Sequence, residues 1–130
     1  MPDLVEAAKN DSNTAVREAA VRVLGQIGED GIPTIVEVLK DKDSQVRVAA
    51  VHTLQRLGAK AKPGVPGLIL VLNKDSDDYV RGQAAHALGM IGPDASEAVR
   101  ALKEALNHKD QHVRNQARLA LQRIEGKKRE

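Results

Sequence analysis

The dipeptide Val-Arg recurs four times, at Val16-Arg17, Val46-Arg47, Val80-Arg81 and Val113-Arg114, with intervals of 30, 34 and 33 residues. A period in this range marks a chain built from stacked supersecondary units, none of which can bury its apolar face alone. Each Val opens a similar segment. Four residues on stands Ala20, Ala50, Ala84 or Ala117, eight on Leu24, Leu54, Leu88 or Leu121, and eleven on Ile27, Leu57, Ile91 or Ile124. Offsets 0, 4, 8 and 11 trace one stripe of an α-helix.

The ends of these helices are marked as well. Asn13, Asp43, Asp77 and Asp110 precede the Val by three residues and are N-cap types. Gly28, Gly58, Gly92 and Gly126 follow the stripe, where a left-handed C-cap is expected. A shorter helix precedes each of these, with Pro2, Pro33 and Pro66 at first-turn positions and Arg100 in the proline's place in the last unit. The spacing predicts eight helices, over 2–10, 13–27, 32–41, 43–57, 64–73, 77–91, 96–107 and 110–125, and no strand. The expected core is Val16, Ala20, Leu24, Ile27 and their equivalents, with Ile35, Leu39, Leu68, Leu72, Leu102 and Leu106 from the shorter helices.

The pattern Asp-x5-Arg, with Val before the Arg and Ala and Leu after it, resembles HEAT repeats. The Leu-Gly-x-Ile-Gly runs Leu24–Gly28 and Leu88–Gly92 are similar to the short, phycobilisome-lyase-like HEAT subfamily. The resemblance implies an all-α, right-handed α-solenoid of four helix-turn-helix repeats, 1–30, 31–62, 63–95 and 96–126, as one domain. Residues 127–130 follow as a charged C-terminal tail. It also implies an Asp/Arg ladder along the stack, made here of Asp11 and Arg17, Asp41 and Arg47, Asp75 and Arg81, and ending at Arg114, where His108 replaces the Asp. These pairs are expected at the surface, where an ion pair is worth about 0–1 kcal/mol. The fourth repeat places Arg118 and Lys103 where the others carry Val21, Val51 or Ala85 and Val5, Val36 or Ile69, the polar outer face of a terminal cap.

Composition removes several kinds of chemistry. The chain of 130 residues has no Cys, so thiolate metal sites and cysteine catalysis are out, and Tyr79 is its single aromatic, which argues against stacking of bases or flat cofactors. No GxSxG, HExxH or phosphate-loop pattern occurs. One HEAT-like hydroxylase family binds iron through paired His-Glu dipeptides, and none of His52, His86, His108 and His112 is followed by Glu. No catalytic residue, cofactor or metal site is therefore expected. The longest apolar run, Leu68–Leu72, is too short to span a bilayer, and MPDLVEAAKN lacks the form of a secretory signal, so a cytoplasmic monomer is expected.

What remains is binding. In HEAT arrays the second helix of each repeat lines the concave surface. Positions two, six and nine after the Val then form the candidate site: Glu18, Arg22 and Gly25; Val48, His52 and Gln55; Gly82, His86 and Gly89; Asn115, Leu119 and Gln122. The expected role is a non-catalytic scaffold gripping a protein or peptide there, with close backbone approach at Gly82 and Gly89 and with His52 and His86 exposed. Two alternatives stand beside it: an accessory subunit of a lyase-like enzyme, and nucleic-acid binding through the basic last repeat. The small net charge of +2 and the lack of aromatics argue against nucleic acid. On the opposite face Leu70 interrupts a row of Glu6, Glu37 and Glu104 and is a candidate contact.

Overall fold

The computed structural model describes residues 2–126, and all regular structure among them is helical. The elements are α1 (Pro2–Asn10), α2 (Thr14–Ile27), α3 (Ile32–Val38), α4 (Ser44–Leu57), α5 (Val65–Lys74), α6 (Asp78–Ile91), α7 (Val99–Ala105) and α8 (Gln111–Glu125). They do not stand as eight separate helices. The 3-10 turns Gly58–Gly64 and Gly92–Ala98 fuse α4 to α5 and α6 to α7, while Glu29–Gly31 extends α3 alone, leaving six unbroken helical stretches. The expected tail, residues 127–130, lies outside the described residues.

Each long helix starts as its cap dictates. The side chains of Asn13, Asp43, Asp77 and Asp110 accept backbone N–H bonds from the first turns of α2, α4, α6 and α8. The glycines at the far ends all have positive φ, but only Gly126 is a left-handed cap. Gly28, Gly58 and Gly92 combine it with ψ near −140°, −132° and −151°, a region open essentially to glycine, and so turn the chain straight into the 3-10 segments.

Two layers result. α2, α4, α6 and α8 pack in succession, each resting on the short helix of its own hairpin. Between the layers lies one continuous apolar core containing Leu24, Ile35, Leu54, Leu68, Leu88 and Leu102, all fully buried. Three expected core residues are exposed instead: Val16 at 40%, Ile27 at 44% and Leu106 at 38%. Val46, Val80 and Val113 are buried because each packs toward the preceding long helix. Among the described residues α2 has no such neighbour, so its stripe of Val16, Val23 and Ile27 faces out.

Candidate binding face and the Arg/Asp ladder

The ladder crosses from repeat to repeat. Arg17 donates from Nε and Nη2 to both carboxylate oxygens of Asp41, at 2.9 and 3.2 Å, and from Nη1 to the Asp11 carbonyl at 2.6 Å. Arg47 repeats the arrangement on Asp75, at 2.8 and 3.1 Å, and on the Asp41 carbonyl at 2.8 Å. Each Asp also accepts the N–H two residues on, fixing the turn before the next long helix. One carboxylate thus holds its own turn and the preceding repeat together. The pairs are not surface pairs: the side chains of Arg17 and Asp41 are 4% and 7% exposed. The planar guanidinium reaches across because a long side chain with a rigid fork matches both carboxylate oxygens.

The fourth rung uses His108. Its Nδ1 accepts the Asp110 N–H at 3.0 Å, which reproduces the turn made by the aspartates. A neutral ring then carries its proton on Nε2, 3.7 Å from Asp78. Arg81 Nη1, 3.0 Å from the same Nε2, therefore meets a donor rather than a carboxylate, and this rung is the weak one. Arg114 turns back to the carbonyls of His108 and Lys109.

On the face of the long helices the expected row divides in two. Glu18, Arg22, Val48 and His52 line a cleft of about 460 Å³ together with Asp77 and Tyr79 at the start of α6. Tyr79 is 51% exposed. Gln55, at the edge of this region, donates to the Gln83 carbonyl and to its Oε1, which also meets His52 Nε2 at 3.1 Å. His52 is thus half-buried and bonded rather than exposed.

The C-terminal half of the row is filled. Gly82 and Gly89 are buried, not open to a partner backbone. A Cβ at Gly82 would collide with the His112 ring, and one at Gly89 would lie 2.9 Å from Ala120 Cα. Gly25 is closed off by Thr53 in the same way. These glycines bring α6 against α8 and α2 against α4, because positions two and nine after the Val point at the next long helix as much as outward. His86 is likewise half-buried. Burial lowers its pKa first, and Arg123 adds to this, with smaller contributions from His52 and His112. Gln116 opposes the shift, and its buried Oε1 has no hydrogen bond in the structure. Asn115 and Gln122 are exposed on α8, and Leu119 is half-buried between them.

Sequence reasoning missed Tyr79, Gln83 and His112. His112 stacks on Tyr79 with ring centroids 5.4 Å apart and bridges to Gln83 at 3.3 Å. A glycine two residues after the Val in one repeat, opposite a His one residue before the Val in the next, is the signal that links them. Among the described residues no three of His, Cys, Asp and Glu gather as metal ligands do, and no helix is long and apolar enough to cross a membrane.

The comparisons agree with this architecture. The family described as HEAT repeats matches residues 1–63 and again 65–129. No curated protein matches the chain. Among solved structures, an engineered protein superposes with a TM-score of 0.74 at 25% identity, covering 95% of this chain and 61% of its own. Human deoxyhypusine hydroxylase in complex with glycerol gives 0.83 at 26% identity, covering 97% of this chain and 43% of the hydroxylase. The complex of CpcE and CpcF of phycocyanin lyase from Nostoc sp. PCC7120 gives 0.75 at 21% identity, with 96% and 78% covered. The chain therefore spans less than two thirds of the first two.

Proposed function

This chain belongs to the HEAT-repeat family, and from that premise we propose that it is a non-catalytic scaffold that grips a protein or peptide on the face of its long helices. The observation that carries the reading is the cleft built by three successive long helices: Glu18 and Arg22 from α2, Val48 and His52 from α4, and Asp77 and Tyr79 at the entry to α6. It offers one half-exposed aromatic, an aliphatic side chain and both signs of charge, the mixture that protein interfaces use at an anchoring point. Repeat arrays bind with such extended faces. In this reading the four repeats act as one right-handed, concave unit, monomeric and cytoplasmic.

Capture from lysate of the native cell, with Arg22→Glu and Val48→Glu as variants, tests the assignment. Both should lose the partner while keeping the wild-type helical spectrum. A partner retained by both variants, or a nucleic acid captured with a steep salt dependence, would overturn it.

A further inference from the structure

The layer of short helices is loosest at one junction. The backbones of α1 and α3 run close together, and so do those of α5 and α7, more than those of α3 and α5 do. A groove of about 610 Å³ opens between them, walled by Val36, Leu39, Gly67, Leu70 and Val71. The two sides meet at Gly67, where a Cβ would lie 3.0 Å from the Leu39 side chain and 3.3 Å from that of Val36. Leu70 is 48% exposed, which alone is ordinary for a surface leucine.

The neighbouring junction shows what this one lacks. Between α1 and α3, Lys9 Nζ meets Glu37 Oε1 at 2.9 Å. Counted from the helix-opening prolines Pro2, Pro33 and Pro66, Lys9 and Lys40 hold the same position, and so do Glu37 and Leu70. The groove therefore sets Lys40 beside a leucine where Lys9 has a carboxylate. A second lysine, Lys74, lines the same groove. Its acids cannot neutralise them, because Asp41 and Asp75 are taken by Arg17 and Arg47. Among the described residues neither Lys40 nor Lys74 makes an ion pair. Apolar walls, an open groove and unpaired cations thus coincide at one place.

We propose that the α3/α5 groove is a second docking site, for a protein segment that carries a bulky aliphatic side chain beside a carboxylate. The aliphatic group packs on Leu70 and Val36, and the carboxylate takes Lys40 as Glu37 takes Lys9. A basic segment is disfavoured by both lysines, whose charges also speed the encounter with an acidic one. The site lies on the layer opposite the cleft described above and does not rest on that assignment.

Methyl-detected NMR of the full chain tests it with three defined peptides: an Asp-Leu-Leu-Asp core, its Lys-Leu-Leu-Lys counterpart and an Asp-Ser-Ser-Asp control. The acidic leucine peptide should shift the methyls of Val36, Leu39, Leu70 and Val71, and the other two should not. Leu70→Glu restores the acid of the other repeats and should abolish the shifts. Lys40→Glu keeps the walls and should weaken binding by about tenfold or more. Equal shifts from the basic peptide would overturn the proposal, as would unchanged binding by Lys40→Glu or peptide shifts confined to Val48 in the cleft. Shifts of the Leu70 methyls that grow with protein concentration alone would assign the groove to a second copy and also overturn it.

Discussion

Replacing Asp41 by Asn separates the two tasks of a ladder aspartate. The amide oxygen can still accept the Asp43 N–H that closes the turn, a bond of 2.9 Å in the native chain. What disappears is the negative charge that Arg17 holds through Nε and Nη2. With its side chain only 4% exposed, Arg17 would keep the Asp11 carbonyl and little else for a full positive charge. Removing one partner of a buried pair costs about 3–5 kcal/mol. The lower end applies, since the amide oxygen can take one of the two lost bonds. That is a large share of the roughly 5–15 kcal/mol that holds a typical domain together. Asp11 is the internal control, because its carboxylate accepts only the Asn13 N–H and no arginine among the described residues. Asp11→Asn should stay within about 0.5 kcal/mol. In urea at pH 7 the Asp41 variant should unfold at a midpoint lower by at least about 1 M, given slopes of about 1–3 kcal/mol/M. Equal, small shifts for the two variants would refute the ladder as a buried, cross-repeat device.

Two more predictions follow from the face of the long helices. Gly89→Ala sets a methyl 2.9 Å from the Ala120 backbone and should destabilise by about 1–3 kcal/mol through overpacking, whereas a site open to solvent would gain from the same change; urea melts decide between them. His86 has a folded-state pKa lowered from 6.5, mainly by burial and then by Arg123. The unfolded chain therefore binds a proton before the folded one does, so stability is full above about pH 6.5 and falls as the pH drops through the lowered value. His86→Gln should flatten that part of a stability-against-pH curve, and an unchanged slope would count against the burial account.

The parts of the fold that repeat were legible in the sequence because repetition averages out local accident. Four caps, four valines and four leucines at constant offsets define four hairpins, and the structure is helical over those spans, though in six unbroken stretches rather than eight separate helices. The 3-10 segments were hidden, because a glycine after a helix signals an ending without saying which region of positive φ it adopts. End effects were hidden too. Val16 and Ile27 carry the same pattern as Val46, Val80, Val113, Ile91 and Ile124, which are buried, and are exposed because no long helix precedes α2 among the described residues. For the candidate site, periodicity located the face but not its filling. Gly82 and Gly89 read as empty space from their own helix, yet His112 and Ala120 of the next repeat occupy it. The ladder could be anticipated by resemblance, while its burial depends on the side-chain reach of Arg17 and Arg47 across a repeat boundary.

Site-specific photocrosslinking tests most directly whether the face of the long helices is the binding surface. A photoreactive phenylalanine analogue would replace Arg22, Val48 or, as a control on the short-helix layer, Arg100, which is exposed on α7. The account predicts that positions 22 and 48 give adducts to one and the same partner, and that position 100 gives none to it. Adducts to that partner from position 100, with none from positions 22 and 48, would contradict the account.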